Sequence, residues 1–397
     1  LERHIDGLVV TATTGRAAIN VMGQTIDSFM GFRGGDISFP ERMSKEARDK
    51  FKALKILLID EASMLRIDKF EALNIWLQRA RGNDKPFGGV QLILVADFMQ
   101  APPVVDKRNK DYLLYFEQYG HRRHLFESPL FHEAEFTPYV LTEYIRQGNE
   151  ELRRALRNLR MGNRIDDAIA YLKQVATGRI DEATIHLVST NKMAASINTT
   201  KLDAISTKEY TFRAESEGTV ETKVVPDLIR IKEGARVIIR TNNRNEGYSN
   251  GDPGIVLSLS NKLITVELDR GGIVEVKKHT WEFEHTVVGP NNKGANKTKK
   301  KTGSFTQMPI SLGWAITIHQ SQGLTLDNVC IDFNNILEYG ISYVGLSRPR
   351  DYSNVSFRGT LSPKIIKVDP KARKFTMIMS KMALDRQAAD SKRFGVT

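Results

Sequence analysis

Three short apolar runs in the first third of the chain each end in polar residues, and this pattern predicts neighbouring strands of one sheet. The runs lie in KILLIDEAS at 55–63, GLVVTATTG at 7–15 and VQLILVADFMQAPPV at 90–104. A short run without polar residues suits a strand of a parallel sheet that is covered on both faces. Parallel sheets place their chemistry at the carboxyl ends of the strands, so the polar residues after these runs are the first candidates for a site.

Helical periodicity fills much of the sequence between and after these runs. The spacing of apolar residues predicts helices over 16–23, 66–81 and 150–175. Residues 31–50 contain several glycines and a proline before they become charged, and they are expected to form a small insertion or loop.

The second half of the chain predicts another α/β unit with a β-rich insertion. HLVSTN at 186–191 is typical of its first strand, and a helix from Trp314 to His319 is expected within the segment 309–333. From about residue 234, apolar and polar residues alternate between Gly, Asn and Asp, which is typical of short antiparallel strands. We therefore expect a small β-barrel inserted in the second unit.

Asp60 and Glu61 end the run KILLID and are the strongest candidates for chemistry. Two adjacent carboxylates are costly to bury unpaired, so they belong at an accessible strand end. They fit a Walker B pair, in which Asp60 holds a phosphate-bound Mg²⁺ through its water shell and Glu61 orients the attacking water. A solvated acidic turn is the alternative. A metal-dependent nuclease is a third possibility, but it would need further acids on nearby strand ends.

Other polar residues at predicted strand ends could contact phosphate. Thr13, Thr14 and Gly15 lie at a strand-to-helix turn, where they either bind a phosphate or cap the helix. Gln100 could sense a γ-phosphate by hydrogen bonding or be an ordinary loop residue. Arg146 ends an apolar run at 138–147, and its planar guanidinium suits phosphate.

Composition narrows the class of protein. The chain has 397 residues, which is enough for two or three domains. Its net charge of +11 indicates either a polyanionic partner such as nucleic acid or a basic protein without such a partner. Cys330 is the only cysteine, so a disulfide within the chain and a Cys-rich zinc site are excluded and a reducing, intracellular compartment is expected. No apolar run approaches the roughly 18 residues of a membrane span. The sequence starts at Leu1 without a secretion signal, and we expect a fragment or a processed product.

Six stretches, in order, resemble the motifs of the superfamily 1B DNA helicases, specifically the PIF (petite integration frequency) and RecD-like group. TATTGRAA resembles motif Ia, IDEAS motif II, ADFMQAPPV motif III and YIRQ motif IV, while WAITIHQSQGLT resembles motif V and YVGLSR motif VI. Each match alone is weak, but six in order over nearly the whole chain are specific.

The resemblance implies an α/β fold with two RecA-like parallel-sheet domains, the P-loop NTPase fold, and an inserted SH3-like β-barrel. The implied domains are 1A at 1–148 with a short 1B insertion at about 31–50, 2A at 149–242 with 306–397, and the SH3-like 2B insertion at 243–305. It implies an ATP-dependent helicase that translocates on single-stranded DNA, 5′ to 3′, and unwinds duplex DNA. Its expected partners are single-stranded and forked DNA, its expected state is a monomer, and the expected processes are DNA repair, recombination and replication.

The resemblance also assigns roles to individual residues. The catalytic set is Asp60 with Mg²⁺, Glu61, Gln100 at the γ-phosphate, and the arginines Arg146 and Arg348. Gly323 and Gln147 are expected to contact the ATP cofactor. The DNA-binding set is Thr13, Thr14, Gly15, His319, Ser321 and Gln322. Because Arg146 and Arg348 each follow an apolar, strand-like segment, we expect them in different α/β units and convergent on one γ-phosphate.

The sequence departs from the family pattern in three places. It contains no GxxxxGK[ST], the loop whose amides and lysine cradle phosphates, which lies before motif Ia in the family. We expect truncation rather than divergence, and poor nucleotide binding by these residues alone. Ala96 replaces the usual Gly of motif III, and Gln320 replaces the usual Lys of motif V. A non-catalytic nucleic-acid-binding remnant of a helicase is therefore the alternative function.

Overall fold

The structure, a computed structural model, divides into two compact units. It describes residues 5–31, 43–103, 111–218, 220, 225–243, 245–288 and 297–394. The first unit comprises Leu1–Thr142, Phe283–Thr302 and Pro370–Thr397, and the second comprises Glu143–Glu282 and Gly303–Asp369, each taken over its described residues. The predicted domain boundaries stay a prediction. They differ from this division most at the C-terminal segment, which was expected in the second domain.

The first unit contains the parallel sheet that the apolar runs predict. Its strands are β1 (Leu8–Ala12), β2 (Gln24–Thr25), β3 (Ile56–Asp60) and β4 (Gln91–Leu94). They lie in the order β2-β1-β3-β4, and every neighbouring pair is parallel. The register places Ala12 beside Asp60, so the carboxyl ends of β1 and β3 lie at one edge of the sheet. The predicted parallel pairing of the first two runs is confirmed.

Strand β4 is shorter and less buried than predicted. Its side chains alternate between exposed and half-buried, and Ile93 and Val95 are 39% and 46% exposed. Within the described residues β4 pairs with β3 only, because it ends the sheet. The prediction of a third fully buried strand was wrong, since an apolar run does not reveal whether the strand has one neighbour or two.

The helices of the first unit pack around this sheet. They are α1 (Gly15–Asn20), α2 (Ile26–Met30), α3 (Lys45–Ala53), α4 (Ile67–Arg81), α5 (Asp111–Tyr119) and α6 (Pro129–Glu133). Helices α1 and α4 confirm the predictions over 16–23 and 66–81. The predicted loop over 31–50 is wrong in part: the Ser44 hydroxyl accepts a hydrogen bond from the Ala47 amide and caps α3. Residues 32–42 of that segment lie outside the described residues.

The second unit has its own parallel sheet. It begins with α7 (Glu150–Met161) and α8 (Ile165–Val175), followed by β5 (Ile185–Val188) and α9 (Asn191–Asp203). The helix predicted over 150–175 is thus two helices, and Gly162 ends the first in a left-handed conformation.

Antiparallel strands follow along the chain. They are β6 (Glu209–Arg213), β7 (Glu215–Gly218), β8 (Leu228–Lys232), β9 (Arg236–Ile239), β10 (Pro253–Leu259), β11 (Leu263–Leu268), β12 (Ile273–Lys277), β13 (His279–Val288), β14 (Lys297–Gln307) and β15 (Ile310–Leu312). All of them lie in the second unit except the parts of β13 and β14 within Phe283–Thr302, which belong to the first unit. Five of these strands form a sheet in the order β12-β11-β10-β9-β15. The predicted change to antiparallel strands is confirmed, whereas the SH3-like form of this insertion stays a prediction.

The chain then returns to the parallel sheet. The strands are β16 (Ala315–Thr317), β17 (Val329–Asp332) and β18 (Val355–Arg358), and helix α10 (Ile341–Leu346) lies between β17 and β18. The sheet has the order β16-β5-β17-β18 with parallel pairs throughout. The helix predicted from Trp314 to His319 is wrong, because Ala315–Thr317 is a strand. All three of its residues are buried, and a fully buried strand has no periodicity that separates it from a buried helix.

Two segments that precede predicted arginines also differ from the prediction. Residues 138–147 form neither helix nor strand, and Leu141 and Ile145 are 93% and 91% exposed. The segment before Arg348 is helix α10 rather than a strand. The apolar composition of these two segments therefore predicted strands where none form.

The C-terminal helix α11 (Pro370–Phe394) belongs to the first unit. Near its start, the Lys371 ammonium contacts the Glu127 carboxylate at 2.5 Å, and the backbone amides of Arg123 and His124 donate to the same carboxylate. Burial would raise the pKa of Glu127, but these hydrogen bonds outweigh burial and lower it. In the part of the chain that the structure describes, no helix is long and apolar enough to span a membrane.

The Lys371–Glu127 contact predicts a pH-dependent contribution to stability. Because the folded-state pKa of Glu127 is lowered, the contribution is present above the unfolded pKa of about 4.3 and disappears as the pH falls through the folded value. Lys371→Met should lower the thermal midpoint slightly at pH 7 and have no effect in acid. Since Lys371 is 62% exposed, the contribution should not exceed about 1 kcal/mol. Lys374→Met, an exposed lysine of the same helix, is the control, and an equal loss at both pH values would contradict the linkage.

Candidate functional site

The carboxyl edge of the first sheet brings together the residues that follow β1, β3 and β4. The Thr13 amide donates to the Asp60 carbonyl at 3.2 Å, and the Ala62 amide donates to the Val95 carbonyl at 2.8 Å. These bonds continue the parallel ladder past the ends of the strands. Asp60 and Glu61 are thereby held between the β1 turn and the segment that leads to Gln100.

Glu61 has an unusual backbone conformation. Its φ of 51° and ψ of 37° lie in the left-handed region, which a residue other than glycine rarely adopts. The Thr13 hydroxyl donates to the Glu61 carbonyl at 2.9 Å and holds this conformation. Such strain costs on the order of 1–3 kcal/mol and is concentrated at functional sites. The turn therefore fixes the direction in which the Glu61 side chain leaves the sheet.

The neighbouring residues Thr14 and Gly15 start helix α1. The Thr14 hydroxyl accepts from the Ala17 amide at 3.2 Å, which is the capping role that the sequence left open. The structure thus places Thr13 on the Glu61 turn and Thr14 on a helix end. Their DNA-binding roles stay predictions.

Gln100 lies in a tight turn organised by Asp97. One Asp97 carboxylate oxygen accepts from the Met99 amide and the other accepts from the Gln100 side-chain amide, both at 3.1 Å. The Asp97 carbonyl also accepts from the Gln100 backbone amide at 3.1 Å. Asp97 therefore orients the Gln100 amide, although it is not among the site residues that the sequence predicts.

The two acids at this edge, Asp60 and Glu61, suit a metal ion that is already coordinated by the phosphates of a nucleotide. Among the described residues there is no group of three or more His, Cys, Asp or Glu side chains that could hold a metal ion. The nuclease hypothesis needs such a group. Mg²⁺ bound to a nucleotide requires only one or two carboxylates, because phosphate and water supply its other ligands. Asp60 with Glu61 fits that requirement.

In the second unit, Arg146 is held by two residues that sequence reasoning did not select. Its Nε donates to the Thr325 hydroxyl and its Nη1 to the Ser347 carbonyl, each at 3.1 Å. Burial lowers the pKa of the Arg146 guanidinium from its ordinary value. Thr325 ends the motif V stretch WAITIHQSQGLT, and Ser347 precedes Arg348 in the motif VI stretch YVGLSR. Their position beside predicted site residues was the signal by which the sequence could have identified them.

Arg348 and Gln147 meet the same serine. Arg348 is buried and donates to the Val344 carbonyl at 2.8 Å and to the Ser347 hydroxyl at 2.7 Å. The Gln147 side-chain amide donates to the carbonyls of Ser347 and Pro349. Ser347 thus joins both predicted arginines within one unit. The expectation that the arginines come from different α/β units was wrong.

The turn after β16 contains the remaining candidates. His319 and Glu338 face each other at 3.4 Å, and Ser321 is buried with its hydroxyl donating to the Ile318 carbonyl at 2.7 Å. Gln322 is half-buried, and Gly323 is exposed with a positive φ of 76° that favours glycine. Their DNA and cofactor contacts stay predictions. Because Ser321 supports the turn from within, its contribution to any DNA contact would be indirect in this conformation.

Gln320, the departure from the usual motif V lysine, is also part of this turn. Its side chain accepts from the Thr317 amide and donates to the Asn191 side chain, both at 3.3 Å. The amide therefore links the turn to the start of α9, an arrangement in which a lysine could only donate.

Each unit has a four-stranded parallel sheet, and this architecture is that of the RecA-like domains. The family model described as PIF1-like helicase matches residues 1–185. Residues 1–185 are thus similar to the PIF1-like helicases, and a place in superfamily 1B is consistent with this match.

Individual relatives agree with this family. The ATP-dependent DNA helicase PIF1 of Xenopus laevis is 28% identical over 396 residues, which are 96% of this chain and 59% of that protein. The chain therefore spans less than two thirds of this relative. A crystal structure of a Bacteroides Pif1 with ADP-AlF4 has a TM-score of 0.83 and 27% identity, and the match covers 96% of this chain and 88% of the other. A structure of DNA unwinding at forked dsDNA by two coordinating Pif1 helicases has a TM-score of 0.67 and 28% identity, over 96% and 88% of the two chains.

Proposed function

We propose that this chain is the motor of an ATP-dependent DNA helicase that moves along single-stranded DNA, 5′ to 3′, and unwinds duplex and forked DNA. The observation that carries this proposal is the edge of the first sheet, where Thr13 holds the strained Glu61 turn beside Asp60 and the Gln100 turn. The names of the relatives, the net charge of +11 and the order of the motifs support it.

In the proposed reaction the first unit acts on water and on the end of the phosphate chain. Asp60 would hold the Mg²⁺ of a bound nucleotide, and the metal would neutralise negative charge that develops on the phosphate. Glu61 accepts a hydrogen bond from the attacking water and orients it. Gln100, fixed by Asp97, hydrogen-bonds the terminal phosphate. Because the Glu61 backbone is fixed by Thr13, its carboxylate needs little reorganisation when the reaction occurs.

The second unit supplies positive charge. Arg146 and Arg348 stabilise charge on the transferred phosphoryl group, and Ser347 sets their mutual position. Gln147 and Gly323 contact the nucleotide, while Thr13, Thr14, Gly15, His319, Ser321 and Gln322 form or support the DNA contacts. We further propose that a monomer is the active unit, that it acts in a reducing compartment, and that it serves DNA repair, recombination or replication.

A second candidate function is a non-catalytic DNA-binding protein. This sequence contains no GxxxxGK[ST], the loop that would cradle the phosphates. Glu61, Gln100 and the two arginines are the water-orienting, phosphate-sensing and charge-stabilising groups of the proposed site, and none of them belongs to that loop.

Unwinding of tailed duplexes separates the two candidates. The intact protein with ATP and Mg²⁺ should displace a strand from a fork with a 5′ single-stranded tail, and it should leave a duplex with only a 3′ tail intact. A protein with Asp60→Asn is the control, since it keeps the fold but weakens the hold on Mg²⁺. DNA binding without ATP-dependent displacement on either substrate would favour the non-catalytic function, and displacement only from the 3′ tail would contradict the direction.

A further inference from the structure

The turn that carries Gln100 is packed against an aromatic cluster through the side chain next to Asp97. The Phe98 ring meets the rings of Phe126 and Phe375 edge-on, each with a centroid distance of 5.3 Å. It also meets His124 edge-on at 6.2 Å. Edge-to-face packing at these distances is favourable and directional, so the cluster fixes the plane of the Phe98 ring.

The partners of Phe98 form a column of stacked rings. His124 stacks on Phe126 at 4.9 Å, and Phe126 stacks on Phe375 at 4.2 Å with an angle of 10° between the rings. Phe98 stands perpendicular to this column, at 81° to Phe126 and 88° to Phe375. The side of the column therefore forms the surface against which the Gln100 turn rests.

Phe375 reaches this column from helix α11, far away in sequence. Lys371, one turn earlier, contacts Glu127 at 2.5 Å, and Ala372 between them is fully buried. Toward the end of the helix, the Gln387 side chain donates to the Val140 carbonyl at 3.4 Å. The helix is thus attached on both sides of Phe375, which limits how far its ring can shift.

We propose that Phe375 is a positioning residue for the turn that carries Gln100. The inference rests on the proposed role of Gln100 at the terminal phosphate. Phe375 acts through Phe98: it orders the Phe98 ring, and Phe98 orders the hydrogen bonds by which Asp97 orients the Gln100 amide. Helix α11 begins at Pro370, immediately after the second unit ends at Asp369. The Gln100 turn of the first unit is therefore packed on a helix that is covalently continuous with the unit that carries Arg146 and Arg348.

Hydrogen exchange of the turn tests the positioning role without any catalytic measurement. In Phe375→Leu, which keeps an apolar side chain but removes the ring, the Met99 and Gln100 amides should exchange roughly three- to tenfold faster, as expected for the loss of the one aromatic pair that holds Phe98 on α11. Phe375→Tyr, which keeps the ring, should restore the wild-type rate. Met377→Ala, on the same helix and 54% exposed, should leave these amides unchanged. Unchanged exchange in a folded Phe375→Leu protein would overturn the proposal.

Turnover of the intact protein tests what the positioning is for. Phe375→Leu should lower kcat for DNA-stimulated ATP hydrolysis about tenfold with little change in the KM for ATP, because a misplaced group costs rate more than binding. Met377→Ala should hydrolyse ATP at the wild-type rate. If the Met99 and Gln100 amides exchange faster in Phe375→Leu while kcat is unchanged, Phe375 still positions the turn, but the proposed role of Gln100 at the terminal phosphate is refuted. Unchanged exchange with a lowered kcat would refute the positioning role and leave the proposed function intact.

Discussion

Glu61→Gln is expected to abolish ATP hydrolysis by the intact protein while ATP binding persists. In the proposed mechanism the carboxylate accepts a hydrogen bond from the attacking water, and a neutral amide of the same shape is a far weaker base. Loss of a positioned acid–base group costs roughly 10²–10⁴ in rate. The substitution should not disturb the fold, because the Thr13 hydroxyl binds the Glu61 backbone carbonyl, which glutamine retains.

Two measurements on the same preparation establish this result. A fluorescent ATP analogue should bind with wild-type affinity, and phosphate release in the presence of single-stranded DNA should fall to background. Glu133→Gln, which removes an equivalent charge from an exposed position at the end of α6, should hydrolyse ATP normally. Wild-type turnover in Glu61→Gln would remove this residue from the catalytic set and favour the solvated acidic turn.

Arg348→Ala is expected to cripple DNA-stimulated hydrolysis and to spare DNA binding. One arginine that stabilises a transferred phosphoryl group can contribute roughly 10³–10⁵ in turnover. The structure adds a second consequence, because Arg348 is buried and bonded to Val344 and Ser347. Its removal deletes both of these hydrogen bonds and should also lower the thermal midpoint.

Arg348→Lys separates the catalytic effect from the structural one. Lysine keeps the charge but cannot reproduce the planar fork that reaches both Val344 and Ser347, so turnover should remain low even where stability recovers. Arg350→Ala is the matched control: two residues later, this arginine is exposed and lies 3.5 Å from Asp327. A folded Arg348→Ala protein with near-normal turnover would show that the residue only stabilises the second unit.

The sequence by itself determined the parallel strands, the polar residues at their carboxyl ends and the resemblance to a helicase family. The apolar run at 55–60 predicts a strand that closes on two acids, and β3 pairs in parallel with β1 so that Asp60 lies beside Ala12. Such features are local: each depends on a few consecutive residues and on the rule that parallel strands present their carboxyl ends at one edge. The order of the six short motifs could likewise be read without coordinates.

Only the tertiary structure decided which distant residues meet. Arg146 and Arg348 lie about two hundred residues apart, and their shared partner Ser347 follows from how the segments fold together. Strand β16 was mistaken for a helix because a fully buried segment has no polar face to set its period. The contact of Phe375 with Phe98 likewise depends on where α11 packs, because non-directional burial of apolar rings leaves no mark in the local sequence that names the partner.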